Sequence, residues 1–565
     1  MMKSFRRSGC ACALLGAVVC SIAVAAQEVD PTLKASLVNS LRLEKKLTET
    51  QRRSLSNATR SRFALAKQVL DTNHGVLTLR VTPILGNRSA QGAPSGLSND
   101  ATGMVPISSP AFDYTLSRGG GFSQNDTSTA WCGQNIVTGY NDSSALLQTL
   151  NNAGGGLSFS GVAHSEDSGK TFTDLGYLDP GAAPYNFLVG NPSVACANAQ
   201  RFYYASMFAT AVPAGANNLV FKEAIGINVS NDGGRTWSAP IAAVLRNSLH
   251  ILERESLAVD PSNPLRLYIS YTDIDFDTAP AGPCAGQTQM DIEVVSSADG
   301  GQSWTTPRLI KQICGDSVNA ANGSQVAVSP TGLVYVAFLF YDNVNGRELV
   351  QLRKSEDHGV TFGRFEDVTA VVPAGSDSML QGMFLSNEFP SLAVDRSKGT
   401  NRETIYLAWT DGRHRSQIDV FSGTGAYNFA DILLVKSGDQ GSHWSAPAKV
   451  SPAGRNADGD RFMPGVAVDS SGRLAVCYSD RRNDLQNNLL DHYCSVSQDG
   501  GATFQDRRLT NNSWSPAHFT DLVLNNSYMQ DYDLVSPDWT GGNEGFFAGF
   551  QFQNYGNPSV YGARF

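Results

Sequence analysis

Carboxylates and arginines gather in this chain at the ends of short apolar stretches, in combinations suited to acid–base chemistry on a polar substrate. Five stretches close on an aromatic followed within two residues by an acid: Tyr140-Asn141-Asp142, Tyr271-Thr272-Asp273, Tyr341-Asp342, Trp409-Thr410-Asp411 and Tyr478-Ser479-Asp480. Others begin on charge: Glu253-Arg254-Glu255, Glu388, Asp460-Arg461, and Asp531 with Asp533. Arg413, Arg415, Arg481 and Arg482 lie close by. Glu253, Glu388, Asp411 and Asp480 are the candidate catalytic carboxyls, since burial can raise such a group until it gives or takes a proton near neutrality. Arg254, Arg413, Arg461 and Arg481 are the candidate substrate-binding residues, because a guanidinium fork grips a planar anion such as that of an acidic sugar. A solvated rim that caps strand ends is the competing reading of the same residues. Other chemistries lack their motifs: there is no HExxH, no Gly-rich phosphate loop with Lys, and no GxSxG between a strand and a helix. The eight histidines are scattered, which gives no histidine metal site. No cofactor is expected, and the carboxylates would admit only a structural calcium ion.

The elements that must position these residues follow from a repeat. Ser-x-Asp-x-Gly-x-(Thr/Ser/His)-(Trp/Phe) occurs six times, starting at Ser165, Ser230, Ser297, Ser355, Ser437 and Ser497. Its Asp and Ser can accept backbone N–H groups in a tight turn, its Gly permits φ > 0, and its aromatic can pack between sheets. Asp167, Asp232, Asp299, Asp357, Asp439 and Asp499 are therefore read as turn formers. Each unit also carries a small apolar strand (SLAVD at Ser256 and Ser391, GVAVD at Gly465, SVACA at Ser193, QVAVS at Gln325) and then a second one such as RLYISYTD or TIYLAWTD. β-branched and aromatic alternation bounded by turn residues marks strands. Four strands per unit, with the repeat joining the third to the fourth, describe a propeller blade. The spacing of about 66 residues per unit predicts a seven-bladed, all-β propeller over 106–565, with six blades as the alternative. The last blade is DYDLVSPDW, GFFAGFQFQ and SVYGARF, completed by an N-terminal strand near Phe112 to Leu116.

The repeat is the Asp-box, and the chain resembles Asp-box (BNR-repeat) propellers of the sialidase-like kind. The resemblance implies that ligands bind at the end opposite the boxes, where the strand-end carboxylates and arginines above also fall. Sialidases hold a substrate carboxylate with three arginines and use a Tyr nucleophile, a Glu and an Asp. Tyr532-Asp533-Leu534 is similar to the segment carrying that nucleophile, which adds Tyr532 to the catalytic set, provided that a carboxylate reaches its hydroxyl. The Phe/Tyr-Arg-Ile-Pro motif of the first arginine is missing. The expected function is a sialidase-like glycoside hydrolase acting on extracellular glycans; the alternatives are a propeller lyase or a non-catalytic propeller that binds a glycan or a protein.

Composition and the N-terminus set the remaining expectations. Lys and Arg number 43 against 52 Asp and Glu, for a net charge of −9, which gives no general attraction to nucleic acid or anionic lipid. Lys3, Arg6 and Arg7, an apolar stretch and AVAA before Gln27 read as a signal peptide over 1–26 and a secreted or periplasmic protein; lipidation at Cys20 is the variant. No later stretch is apolar enough to span a membrane. Residues 27–75 favour helices packed on the side of the propeller, and 76–105 a strand and a flexible linker. The six cysteines of the exported chain pair as Cys132–Cys196, Cys284–Cys314 and Cys477–Cys494. A monomer with a carbohydrate or glycoconjugate ligand is expected.

Overall fold

Residues alternating between Val, Ile or aromatics and small polar types form strands that bury both faces, and here they stack into seven sheets, six of four antiparallel strands and one, blade 2, that gains a fifth as Leu157–Ser158 pairs in parallel with Phe187–Cys196. The computed structural model describes residues 31–71, 81–83, 103–109, 114–116, 123–150, 156–183, 186–215, 219–278, 283–315, 318–376, 378–382, 384–418, 426–451, 459–516, 531–554 and 557–565; the expected signal peptide at 1–26, most of the expected linker and Phe112 lie outside them. With strands lettered a to d from the axis outwards, blade 1 is Gln124–Cys132, Asn135–Asp142, Ser160–Ser165 and Thr173–Asp174. Blade 2 is Phe187–Cys196, Phe202–Pro213, Leu219–Ser230 and Ile241–Asn247; blade 3 is His250–Asp260, Asn263–Asp275, Gln289–Ser297 and Arg308–Cys314. Blade 4 is Ala320–Val328, Val334–Asp342, Arg347–Ser355 and Glu366–Val371; blade 5 is Ser391–Val394, Ile405–Asp411, Asp431–Ser437 and Ala448–Lys449. Blade 6 is Arg461–Val468, Leu474–Asp480, Asp491–Ser497 and Gln505–Arg508. Blade 7 takes Val535–Pro537, Phe546–Asn554 and Asn557–Arg564 from the C-terminus and its outermost strand, Met104–Pro106, from the N-terminal side.

The closing strand is thus Met104–Pro106 and not the Phe112–Leu116 segment. Met104 and Val105 bury between blades, whereas Tyr114–Leu116 pairs with Val81–Pro83 in a separate ribbon. Met104–Pro106 thus completes blade 7 as a four-stranded sheet drawn from both ends of the chain. All six repeat turns join strand c to strand d, so all lie at one end of the axis. In the third, the Ser297 hydroxyl donates to Asp299 at 2.8 Å and accepts the Gly301 N–H at 2.9 Å. Asp299 also accepts the N–H groups of Gln302 and Ser303, each at 3.0 Å. Bonds from the Ser303 hydroxyl and N–H hold its carboxyl down at about 2.

Blades are stapled in sequence by the first residue of the small apolar strand. Ser128, Ser193, Ser256, Gln325 and Ser391 accept the N–H of Val194, Leu257, Val326, Leu392 and Val466 of the next blade at 2.9–3.2 Å. The ring closes through Leu534 N–H to the Thr127 carbonyl at 3.0 Å and Trp131 N–H to Ser536 Oγ at 3.1 Å. All three expected disulfides are present: Cys132–Cys196 joins blades 1 and 2, and the other two lie within blades 3 and 6.

Helices α1 (Pro31–Glu44), α2 (Glu49–Ser54) and α3 (Asn57–Asp71) do form, but they cover the end of blades 2–4 opposite the repeat turns, not the propeller side. The reason is an apolar surface waiting there. Leu43, Leu47, Leu55 and Phe63 pack on Ile251, Ile274, Phe276 and Met290, while Leu37, Ala58 and Ala66 pack on Phe159, Phe187 and Met207. A buried fork of two 2.6 Å bonds joins Arg62 to Glu223, and Asn322 of blade 4 donates to the Ser54 carbonyl.

Candidate active site

Five inner strands bulge at the same place, just after they start from the helix-covered end. Each bulge puts one residue in the left-handed region: Asp126 (φ 53°), Asn191 (58°), Arg254 (55°), Gly323 (68°) and Met463 (56°). The four non-glycines adopt a conformation that costs about 1–3 kcal/mol and that concentrates at functional sites. The bulge re-aims its residue, and Arg254, Gly323 and Met463, together with Phe389, Asp531 and Tyr532, line a cavity of about 30 Å³.

At its centre Arg254 faces Asp531 at 3.2 Å and stacks over Phe389 (4.3 Å) and Tyr532 (5.1 Å). The backbone N–H of Asp531 donates to Asp126, whose other oxygen accepts from Asn141 at 2.6 Å. Burial, and then the charge of Asp531, push the Asp126 carboxyl well above its ordinary value. Glu255 also lines this cavity; it is 4 % exposed, and burial holds its carboxyl well above 4.5 against the opposing effect of its own backbone N–H and that of Met207. Burial likewise raises the Tyr532 phenol, with Asp126 and Glu255 adding to the effect. The hydroxyl donates to the Pro192 carbonyl at 2.7 Å and not to a carboxylate, so the condition set for a nucleophile is not met.

Glu253 lies on the same strand but turns to the helices. It accepts the Ser56 N–H at 2.9 Å at the start of α3, and burial raises it to about 7 despite bonds from Thr59 and Ser56. The remaining candidates belong to blades 5 and 6 and the loops beside them, where each is engaged by near neighbours. Glu388 accepts from Ala374 N–H and Ser378 Oγ, each at 3.0 Å, and burial raises it to about 7. Asp411 takes the Trp409 indole N–H at 2.9 Å and the Arg413 guanidinium at 2.7 Å. Arg461 lies between Asp431 at 3.0 Å and Asp480 at 3.4 Å, and Asp480 also holds Arg482. Arg481 donates to the carbonyls of Gln381 and Asn487, each at 2.9 Å, and is 3.5 Å from Asp460.

The structure therefore brings Arg254 and Tyr532 together on the axis and leaves Arg413, Arg461 and Arg481 committed away from it. Sequence reading placed Glu255 among the charged strand starts but not in the catalytic set, and passed over Asp126. Their signal was register: Asn125-Asp126-Thr127-Ser128 and Glu253-Arg254-Glu255-Ser256 occupy equivalent bulges. Among the described residues no group of three or more His, Cys, Asp or Glu is placed to hold a metal ion, and no helix is long and apolar enough to cross a membrane.

No family model matches the chain, and no curated protein matches it. Solved propellers do resemble it. A protein of unknown function from Dyadobacter fermentans is 16% identical over 66% of this chain and 93% of its own, with a TM-score of 0.38. The α-L-arabinofuranosidase of Fusarium graminearum is 12% identical over 67% and 92%, with a TM-score of 0.40. The sialidase of Trypanosoma rangeli is 12% identical over 66% and 53%, with a TM-score of 0.33.

Proposed function

We propose that this chain is a secreted glycoside hydrolase that acts at the axial cavity opposite the repeat turns. One observation carries the reading: Glu255 is a carboxyl buried in the wall of that cavity, and burial raises it well above its ordinary value. A glycosidic oxygen leaves as an alcohol only when an acid delivers a proton to it, and a carboxyl kept protonated at neutral pH does this. Asp531, 3.2 Å from Arg254, is the second carboxyl, placed to stabilise positive charge as it develops on the sugar. The strained φ of Arg254 fixes its guanidinium between Phe389 and Tyr532; the aromatic rings offer a surface for the apolar face of a sugar.

The substrate class follows from charge. Among the residues that line the cavity Arg254 is the one arginine, and it already faces Asp531. Three arginines for a substrate carboxylate are not assembled there, so a neutral glycan suits the site better than a sialoside. The leader-like N-terminus and three disulfides support an extracellular setting.

The test is a panel of chromogenic neutral pentosides and hexosides, with sialosides alongside. The wild type should cleave at least one neutral substrate, and Glu255→Gln should lose on the order of 100-fold or more in kcat while keeping its unfolding midpoint. Hydrolysis undiminished in Glu255→Gln would overturn the assignment. The bond from Tyr532 to Pro192 and the small cavity favour a second reading, a non-catalytic glycan-binding propeller. That reading prevails if the wild type retains glycans on an array yet cleaves none of them.

A further inference from the structure

The other end of the axis is built with opposite electrostatics. Arg396 follows strand a of blade 5 and reaches across the mouth of the channel at the repeat-turn end. Its Nε donates to the Val328 carbonyl of blade 4 at 3.1 Å, one Nη reaches the Val259 carbonyl of blade 3 at 3.5 Å, and its guanidinium lies 4.5 Å from the Trp539 ring centroid, beside blade 7. Its other Nη has no partner, and no carboxylate lies within ion-pair distance among the described residues. Asp260, whose charge acts on it, is already engaged by Ser262 and Arg266. Desolvation lowers the guanidinium to about 10, with the charge of Asp260 acting against it.

Behind Arg396 lies a cavity of about 140 Å³ walled by the inner strands, and among its lining residues Arg396 alone is charged. Deeper in, Ser193, Ser256 and Ser391 line the wall; each hydroxyl oxygen accepts a backbone N–H from the next blade, which leaves its hydrogen to donate elsewhere. The channel thus offers a guanidinium at its mouth, hydroxyl donors at depth, and no lining carboxylate to repel an anion.

We propose that this channel binds a small oxyanion, with Arg396 as the gripping residue and Trp539 holding its guanidinium in plane. The shared chemistry is a sulfate or carboxylate group, either as a free ion or pendant on an acidic glycan. This site stands at the opposite end of the axis from the carboxyl-rich cavity and does not depend on hydrolysis.

Isothermal titration of the full chain with sodium sulfate and, separately, with glucose 6-sulfate tests it, at constant ionic strength. Saturable one-site binding is expected, weakened on the order of tenfold or more by Arg396→Gln and unaffected by Arg364→Gln on the exposed surface. Binding of sulfate alone assigns a free ion, and binding of glucose 6-sulfate assigns a pendant group. Should Arg396→Gln not fold, selenate-soaked wild-type crystals must show an anomalous peak within hydrogen-bond reach of Arg396. No saturable binding, or a peak elsewhere only, overturns the site.

Discussion

At the residue scale, the polar groups that link the helices to the propeller carry energies that can be checked. Arg62 and Glu223 are both buried and joined by two 2.6 Å bonds. Removing one partner of such a pair strands the other charge in a poor dielectric, so Arg62→Ala should cost about 3–5 kcal/mol in urea unfolding. Replacing both with Met and Leu should recover most of that loss. Glu253 predicts a pH dependence. Burial raises its carboxyl from 4.5 to about 7, so between these values the native state holds a proton that the unfolded chain has released. Its contribution is complete below the ordinary carboxylate range and is lost as pH rises through about 7. Stability measured by urea titration should therefore fall over that window, and Glu253→Gln should flatten the fall. Repeat-turn aspartates act in the opposite sense: Asp299, Asp357 and Asp439 are held near 2 by bonds from the following Ser, Thr or His, so what they contribute is lost only as pH drops towards that value.

At the element scale, the inner strands show why a sequence pattern persists from blade to blade. The Ser that opens SLAVD is a staple to the next blade, and Ser256→Ala leaves the Val326 N–H without its acceptor, at about 1–3 kcal/mol. Blade 6 carries Gly465 at the equivalent position because the Asp533 carbonyl of blade 7 would lie 2.5 Å from a Cβ there. Backbone cannot give way as a side chain can, so Gly465→Ala should destabilise more than Ser256→Ala in the same thermal or urea assay; equal effects would refute the packing argument. The helices are judged similarly. Phe63 is 4 % exposed against blade 3, and Phe63→Ala should cost about 3–5 kcal/mol. A chain lacking residues 1–71 should bind an apolar dye, because Phe187, Ile251 and Phe276 lose their cover.

On the scale of the whole molecule, the propeller is a closed ring, and closure is what makes seven sheets one cooperative unit. It depends on the N-terminal strand pairing with the last one and on the bonds between blades 7 and 1. The Cys132–Cys196 bridge ties blade 1 to blade 2, so the double substitution to Ala should lower stability by about 2–4 kcal/mol. An unchanged midpoint in the double variant would show that the bridge contributes nothing to the native ring. The ring also separates two chemical environments along one axis, carboxyl-rich at the helix-covered end and cationic at the repeat-turn end.

The sequence by itself determined what is local and repeated. Turn geometry depends on residues within a few positions of one another, so six Ser-x-Asp-x-Gly runs and their flanking strands settled blade, strand order and the end on which the turns lie, and the blade map carried the three disulfide pairings. Tertiary structure alone decided what depends on contacts across hundreds of residues. Met104–Pro106 closes the ring because its apolar side chains fit between distant blades, a property that no nearby pattern records. The helices cover an axial end because blades 2–4 present apolar surface there. Strand-end charges looked alike in the sequence; only packing separated Arg461, Arg481 and Asp411, which neutralise near neighbours, from Arg254 and Glu255, which bulged backbone turns towards the axis.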